Sequence, residues 1–323
     1  MTGLFLHRLT LAVLLGLAVP LAQAADAQAL FARIHQAGRS LDYDGIFVYQ
    51  HGDRLESLRI VHKTGAGGVR ERLVSLNGAP REIIRTGSEV RCYLPDENAV
   101  LIEHRRADDR NFPALLPDSL ALLKGNYKIH VGKEGRVAGR KAVSVRIKPR
   151  DAYRYGYLLW ADEASGLLLK ASLLDEHGGL VEQYMFTQVS IGKPIPESEL
   201  KPQYPTKGIV WQRADDVTPT PSTGQWTAVR LPAGFTLSAR MMRMLPARKQ
   251  PVEHLVYTDG LAVVSVFVEK VGDEASPNVL SGLTHMGAVH AFGKVVDGHQ
   301  VTVVGETPAL TVDMIGESVG PGP

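Results

Sequence analysis

The chain has 323 residues, of which 44% are hydrophobic and 22% charged, and its formal net charge is +2. Its lysines and arginines are scattered and do not form blocks, which excludes nucleic acid as the expected partner. The single cysteine, Cys92, excludes an internal disulfide framework, and a chain of this length can bury enough apolar surface to be stable without one.

The N-terminus has the pattern of a secretory signal peptide. Arg8 precedes an apolar run from Leu9 to Val19, and Pro20 then leads to a small-x-small site at Ala22-Gln23-Ala24. We expect cleavage after residue 24, export to the periplasm, and a mature chain of just under 300 residues. The apolar run is shorter than the roughly 20 residues that cross a bilayer, and no later stretch is apolar enough. A soluble mature protein is therefore expected.

The first part of the mature chain predicts a short helix followed by many strands. Leu30, Phe31 and Ile34 recur at helical spacing, which predicts a helix at 27–38. Short runs rich in β-branched and aromatic residues then predict strands at 43–51, 55–63, 69–76, 81–86, 89–94, 99–104, 127–131, 141–148, 155–161, 167–174 and 180–191. These strands indicate a large, strongly curved antiparallel sheet.

One segment between the strands fits neither a clean strand nor a long helix. In 108–124, large apolar residues surround Pro113 and Pro117. Two interpretations stay open for this segment. It is either a plug or lid over the sheet, or a surface loop with a short helix that rests on ordinary core.

A second domain is predicted after a proline-rich segment. Six prolines lie between Gly192 and Pro221, and proline at this density favours an extended linker. Beyond it, strands and two Asp-Gly turns, at 259–260 and 297–298, predict hairpins of type I′, with a closing helix at 308–315 and another helix at 278–288. The expected divisions are a signal peptide at 1–24, a β domain at 25–195, a linker at 196–221, a smaller α+β domain at 222–319 and a tail at 320–323. One large β domain is the alternative.

A search for catalytic motifs favours a binding protein over an enzyme. Ser318 lies in a G-x-S-x-G string, but the chain has neither a following helix nor later acid and histidine partners. His285, His290 and His299 match no zinc spacing, so neither a metal nor a cofactor is expected. Several strands are instead apolar on both faces, and such a sheet must be covered twice or bind a ligand.

Eight short motifs occur in order along the whole chain. They are Leu41-Asp42-Tyr43, Glu56-Ser57-Leu58-Arg59, Leu76-Asn77-Gly78 followed by Arg81-Glu82, Arg154-Tyr155-Gly156-Tyr157 leading to Trp160, Leu173-Leu174-Asp175 before Glu182-Gln183, Leu231-Pro232-Ala233-Gly234-Phe235, Tyr257-Thr258-Asp259-Gly260-Leu261, and Val301-Thr302-Val303-Val304-Gly305-Glu306. No single motif is specific, but their ordered sum resembles the RseB/MucB family of periplasmic regulators of the envelope-stress sigma factor.

The resemblance implies a mainly β fold with some α structure. Its N-terminal domain would be similar to the lipoprotein carriers LolA and LolB, an unclosed antiparallel β-barrel around helices, followed by a smaller β-rich domain. Members of the family bind the periplasmic part of a membrane-anchored anti-sigma factor (RseA or MucA), shield it from regulated proteolysis, and release it when lipid-bearing envelope components accumulate. They can self-associate, so a homo-oligomer is compatible with the resemblance.

The resulting hypothesis has two linked sites. A groove in the N-terminal domain would bind acyl chains of lipoprotein or lipopolysaccharide, and its candidate residues are Phe112, Leu115, Leu116, Leu120, Leu123, Tyr157, Leu159 and Leu169. A basic surface on the C-terminal domain would bind the anti-sigma factor, and its candidate residues are Arg230, Arg240, Arg243, Arg248, Lys249 and His254, with Met241, Met242 and Met244 interleaved.

Alternatives remain for the surface and for the function. The methionines would otherwise be core and the charges a solvated face. The alternative functions are a periplasmic lipoprotein carrier of LolA type, which would lack the second domain, and a lipid hydrolase or transferase, which would require polar groups that converge in the groove.

Overall fold

The computed structural model describes residues 19–104, 123–204, 208–213, 220–245, 250–271 and 279–322. The predicted signal peptide lies largely outside these residues, as do the predicted plug except for its last two positions and parts of the predicted linker. Among the described residues, no helix has the length and apolarity that crossing a bilayer requires. Strands dominate, so the predicted mainly β class is confirmed.

The first helix and twelve strands form one unit. Their bounds are α1 (Val19–Ser40), β1 (Tyr43–His51), β2 (Arg54–Lys63), β3 (Arg70–Ser75), β4 (Glu82–Arg85), β5 (Glu89–Leu94), β6 (Ala99–His104), β7 (Tyr127–Val137), β8 (Arg140–Pro149), β9 (Gly156–Asp162), β10 (Leu168–Leu174), β11 (Leu180–Ile191) and β12 (Val210–Arg213). Their order across the sheet is β12-β6-β5-β4-β3-β2-β1-β11-β10-β9-β8-β7. The two terminal strands do not pair with each other, so within the described chain the sheet is open, as predicted.

Helix α1 packs against one face of this sheet. Ala27, Leu30, Phe31 and Ile34 follow the i, i+3, i+4, i+7 spacing of one helix face, and all four are buried in the main core cluster. The guanidinium of Arg33 donates to the carbonyl of Glu163 at 2.6 Å and so ties the helix to the β9–β10 turn. The helix predicted at 27–38 is present and is longer than predicted.

The C-terminal part forms a second sheet. Its elements are β13 (Thr220–Pro221), β14 (Trp226–Ala228), β15 (Thr236–Arg243), β16 (Val252–Thr258), β17 (Val263–Lys270), β18 (Gly282–Met286), β19 (Val289–Val296), β20 (His299–Gly305), α2 (Ala309–Ser318) and β21 (Val319–Pro321). Seven strands pair in the order β13-β15-β16-β17-β20-β19-β18, and β14 pairs with β21. Helix α2 buries Val312 and Ile315 in the core of this part.

Two local predictions for the second sheet are corrected by the structure. The helix expected at 278–288 is wrong, because 282–286 form β18 and Gly287, with φ of +61°, makes the tight turn into β19. The hairpin at Asp259-Gly260 is present, but its turn is not type I′. Only Gly260 has a positive φ there, and the side chain of Asp259 instead accepts the amides of Leu261 and Ala262. At Asp297-Gly298 both φ angles are positive, which confirms that type I′ turn.

The proline-rich segment contributes to both sheets. It contains a 3₁₀ turn at Glu197–Leu200 and β12, which pairs in parallel with β6, while β13 at its end joins the second sheet. The predicted limits of the two domains stay a prediction.

Candidate functional site

The two sheets meet around one buried cation, Arg154, just before β9. Its side chain is 0% exposed and makes two hydrogen bonds to Asp151, at 2.9 and 3.0 Å. A third nitrogen–oxygen contact, to Asp259 of the second sheet, is 2.5 Å long, and a fourth bond reaches the carbonyl of Ala233 at 2.7 Å. Four of the five N–H groups of the guanidinium are therefore satisfied, as a buried charge requires.

The loop that contains Asp259 orients its carboxylate for this contact. Its Oδ1 accepts the amides of Leu261 and Ala262 at 2.9 and 2.8 Å, while Oδ2 accepts the hydroxyl of Tyr127 at 2.9 Å. Burial, together with the charge of Asp259, raises the pKa of Tyr127 above its usual range, so the hydroxyl stays a donor. The carboxylate is thus oriented by bonds from both sheets.

Apolar contacts surround the ionic centre. The Arg154 guanidinium lies over the rings of Tyr127 and Phe235, with 5.5 and 5.3 Å to the centroids. Leu261, from the second sheet, packs in the main core of the first sheet. Ala288 packs with Tyr155 and Leu173 in a separate cluster. The two sheets therefore share core, and moving one against the other exposes apolar surface.

A cleft of about 290 Å³ opens between the sheets beside this contact. The first sheet contributes aromatic and polar side chains, and the second contributes a short apolar stretch and one carboxyl. The lining residues are Tyr49, Tyr157, Ala171, Leu173, Glu182, Gln183, Tyr184, Leu261, Ala262, Val263 and Glu306. We refer to this space as the intersheet cleft. A smaller cavity of about 220 Å³ is lined by Pro194 to Pro196 and nearby polar residues, away from the second sheet.

Two carboxyl groups from different sheets face each other in the cleft. Glu182 accepts the hydroxyl of Tyr49 at 2.7 Å and interacts with Glu306, which follows β20. Glu306 as a whole is exposed, but its carboxyl group lies among protein atoms at the cleft. Loss of water there, followed by the negative charge of Glu182, raises the pKa of Glu306 to about 7. Glu306 therefore holds its proton more readily than an ordinary glutamate.

The structure separates the residues predicted for the lipid groove. Tyr157 lines the intersheet cleft, whereas Leu123, Leu159 and Leu169 are 0% exposed within the core that α1 covers. A ligand would contact these three leucines only after α1 or a neighbouring segment moved. The remaining candidates, Phe112, Leu115, Leu116 and Leu120, lie outside the described residues, and the groove stays a prediction.

The residues predicted for the partner surface also differ in their environment. Arg230 is exposed, while Arg240 is held by Glu253 at 3.1 Å and by the carbonyl of Gly224. His254 is buried and stacks on Phe267 with 4.3 Å between ring centroids. Arg243 is partly exposed at the end of β15, and Arg248 and Lys249 lie outside the described residues. This surface stays a prediction, now centred on Arg230 and Arg243.

The catalytic-looking serine has a structural role. Ser318 lies at the C-terminal end of α2, where its hydroxyl accepts the amide of Arg230 at 3.1 Å and donates to the carbonyl of Ile315 at 2.9 Å. It thereby ties α2 to the segment after β14. Among the described residues, no group of three or more histidine, cysteine or acidic side chains could hold a metal ion.

Sequence reasoning missed the contact between the sheets, although the signal was available. Arg154, Asp259 and Phe235 each lie in a different motif that carries the family resemblance, and so do Glu182 and Glu306. Residues that meet at an internal interface are expected to lie in several separate motifs that have no catalytic chemistry. Nothing in the sequence, however, stated which motif contacts which.

We predict that Arg154→Met destabilises the protein strongly. The substitution leaves Asp259 buried and without its cation, and breaking a buried ion pair in this way costs about 3 to 5 kcal/mol of the free energy of unfolding. Urea unfolding followed by circular dichroism measures the loss, and limited proteolysis of 196–221 measures whether the sheets separate.

A matched control is Arg81→Met, which removes a cation from the exposed pair with Glu56, at 3.2 Å. Exposed pairs contribute about 0 to 1 kcal/mol, so this variant should unfold close to the wild type. Equal losses in the two variants would contradict a special role for Arg154.

We also predict a pH dependence that Glu306→Gln removes. Folded Glu306 keeps its proton up to about pH 7, whereas an unfolded glutamate loses it near its ordinary pKa of about 4.3. Between about pH 4.3 and about pH 7 the folded state therefore binds more protons than the unfolded state. This contribution to the free energy of unfolding is complete below that window and is lost as the pH rises to about 7.

Urea midpoints at pH 5 and pH 8 test this prediction. The gain of Glu306→Gln over the wild type should be larger at pH 8 than at pH 5 and reach at most about 1 kcal/mol, since solvent screens the pair. Glu134→Gln is the control, because Glu134 is exposed on β7. Parallel pH profiles for the wild type and Glu306→Gln would refute the assignment.

Comparisons with known proteins give a consistent family. Residues 26–204 match the model of the MucB/RseB N-terminal domain, and residues 220–320 match the MucB/RseB C-terminal domain. The chain is 35% identical over 97% of its length to the sigma factor AlgU regulatory protein MucB of Pseudomonas aeruginosa, 97% of which is covered. It is 28% identical over 90% of its length to the sigma-E factor regulatory protein RseB of Escherichia coli K12, 89% of which is covered.

Solved structures agree with the sequence matches. A chain in the complex structure of Pseudomonas aeruginosa MucA/MucB is 32% identical, with a TM-score of 0.70, and the match covers 92% of this chain and 99% of that one. MucB alone gives a TM-score of 0.62 over 92% of this chain and 98% of that one. From these matches, which extend across both sheets, the chain belongs to the MucB/RseB family.

Proposed function

We propose that this chain is a periplasmic regulatory protein that binds the periplasmic region of an anti-sigma factor of the MucA or RseA type. By shielding that region from regulated proteolysis, it would restrain the envelope-stress sigma factor. The observation that carries the proposal is the likeness to MucB chains solved in complex with MucA, at 32% identity and TM-scores of 0.70 and 0.69. Export by the N-terminal signal would place the protein in the same compartment as its partner.

The proposed action requires binding alone. A protease needs its substrate in an extended, accessible form, so holding the segment against a folded surface is enough to slow its cleavage. No bond is made or broken by the regulator in this scheme. This accords with the structural roles found for Ser318 and for the buried ionic groups at the intersheet contact.

For the partner surface we propose the exposed part of the second sheet that includes Arg230 and Arg243. Arg230 follows β14 and is exposed, and Arg243 ends β15, with Met241 and Met242 on the same strand. Methionine adapts to irregular surfaces, and arginine is enriched at the centres of interfaces. Arg240 and His254 would support this surface from below, through Glu253 and Phe267.

We predict that the charge reversals Arg230→Glu and Arg243→Glu together weaken binding of the anti-sigma segment at least about tenfold, since each change replaces a favourable contact with a repulsive one. Isothermal titration of the mature protein with the periplasmic segment measures the affinity. Lys270→Glu, an exposed charge at the end of β17, is the control. Undiminished affinity in the double variant would remove this surface from the proposal.

For release we propose that acyl chains enter at the intersheet cleft. Its volume of about 290 Å³ is at the lower end for a ligand pocket, so a long chain fits only if the cleft widens. About a dozen buried methylenes contribute roughly 10 kcal/mol before ordering costs, enough to offset some loss of core contact. The leucines beneath α1 would become accessible in that widened state.

This placement couples the two ligands physically. Leu261, Ala262 and Glu306 belong to the second sheet, and Tyr157 and Leu173 to the first, so a chain that enters between them pushes on both. If the anti-sigma factor prefers the packed arrangement, lipid and partner must weaken each other equally.

We predict that Val263→Trp, which places an indole at the rim of the cleft, weakens binding of a labelled lipopeptide at least about tenfold and leaves anti-sigma binding unchanged. Val263 is 36% exposed, so the larger ring can be accommodated without unfolding the core. Val295→Trp is the control, because Val295 is 53% exposed on β19 and does not line the cleft. Fluorescence polarisation measures both affinities.

The same assay separates the proposal from its rivals. Lipopeptide that releases a captured anti-sigma fragment supports a sensor, and lipopeptide handed to membrane receptors without such release supports a carrier of LolA type. Cleaved lipopeptide would mean an enzyme. Equal lipid affinity in Val263→Trp and the wild type would place the lipid site elsewhere.

A further inference from the structure

The outer face of β7 and β8 carries a ladder of basic residues. Lys128 lies directly opposite Lys148, and His130 lies directly opposite Arg146. Residues that are directly opposite in an antiparallel pair share one face, about 5 Å apart. All four are exposed, whereas the alternate residues Tyr127, Val145 and Ile147 are buried in the core.

Among the described residues, no acidic side chain pairs with the lysines and the arginine of this ladder. Within the described chain, no carboxylate lies in ion-pair distance of Lys128, Arg146 or Lys148, and the same holds for Lys133 in the neighbouring bulge of β7. On the same sheet, Arg59 is paired with Asp44 and Arg70 with Glu197. Like charges directly opposite each other destabilise a strand pair. The arrangement therefore has a cost that a ligand with negative charge would offset.

An aromatic ring borders the ladder on the same face. Trp160 of β9 is opposite Ser144, two residues from Arg146 on β8, and opposite Lys170 of β10. The ring lies across β7 at Gly135, where an added Cβ would come within 2.4 Å of it. Trp160 is partly exposed. A partly solvent-exposed tryptophan is typical of the side chains that lie at the headgroup level of a bilayer.

We propose that this outer face of β7, β8 and Trp160 docks onto the anionic headgroups of a phospholipid bilayer. The cations form a two-row array on a sheet face, and neither the intersheet cleft nor the smaller cavity is lined by residues of β7 or β8. Mobile headgroups can move to each cation of such an array. An acidic polypeptide would need a groove or pockets for its side chains, so the bilayer fits this surface better.

The position of the face leaves both proposed sites accessible. Tyr157 of β9 lines the cleft and pairs with buried Ile147, so it lies on the opposite face of the sheet from Arg146 and Lys148. The partner surface around Arg230 and Arg243 belongs to the second sheet. Docking through β7 and β8 is therefore independent of the proposed anti-sigma and lipid-chain sites, and it does not rest on them.

The test is cosedimentation of the mature full-length chain with vesicles. One set of vesicles contains phosphatidylcholine with one third phosphatidylglycerol, and the other contains phosphatidylcholine alone. We expect binding to the anionic vesicles only, with loss of binding as salt is raised. Each cation near an anionic surface contributes about a fivefold gain in affinity, so K128Q, R146Q and K148Q combined should reduce binding about 100-fold.

The matched control removes the same net charge elsewhere. Arg54, Lys193 and Lys201 are exposed and have no ion pair among the described residues, so the triple variant R54Q, K193Q and K201Q should bind within about fivefold of the wild type. Circular dichroism confirms that each variant is folded. Equal losses in the two triple variants would overturn the proposal, because net charge alone would then explain binding.

Two other outcomes would also overturn it. In the first, the wild type does not bind the anionic vesicles. In the second, it does not bind them but binds an acidic peptide such as polyglutamate through the same three residues. W160F separates the aromatic contribution: a drop in binding without a change in salt dependence supports an indole at the headgroup level.

Discussion

The arrangement of this protein depends on one buried ion pair between two sheets. Arg154 and Asp259 are both withdrawn from water, which is costly for either charge alone. The structure offsets the cost by surrounding the pair with donors and acceptors from three separate loops and with two aromatic rings. The contact is therefore specific in geometry, and together with the shared apolar core it defines how the sheets pack.

This constraint suits the proposed release of the partner when a ligand binds. A purely apolar interface can slide, whereas a hydrogen-bonded charge pair is either formed or broken. In the neighbouring cleft, Glu182 from the first sheet meets Glu306 from the second, so a small separation of the sheets would change the distance between them. On the proposed function, binding in the cleft and packing at Arg154 would be parts of one equilibrium.

Much of the architecture follows from local sequence patterns. Alternation in β1 and β17, the helical spacing of Leu30, Phe31 and Ile34, and the Asp297-Gly298 turn all predict what the structure contains. Other features depend on distant residues. The turn at Asp259 departs from type I′ because its carboxylate is committed to Tyr127 and Arg154, and β18 is a strand because β19 pairs with it.

The candidate site was predictable only in part. Tyr157 was expected at the lipid site and does line the cleft, but the leucines named with it lie beneath α1. The residues of the second sheet that complete the cleft could not be deduced, since Leu261 and Glu306 meet their neighbours across separations of about a hundred residues. The order of the motifs indicated which residues are important. Only the three-dimensional structure shows which motifs contact each other.

The pairing of β1 with β11 has a consequence for how the protein is made. Tyr43 pairs with Ile191, so the middle of the first sheet joins segments that are nearly 150 residues apart. A chain that emerges N-terminus first would present β1 to β6 as a half-sheet whose β1 edge has no neighbour until β11 arrives. Such long-range closure is slow, and the waiting edge is prone to aggregate. Biogenesis should therefore be sensitive to holdase chaperones that bind extended strands.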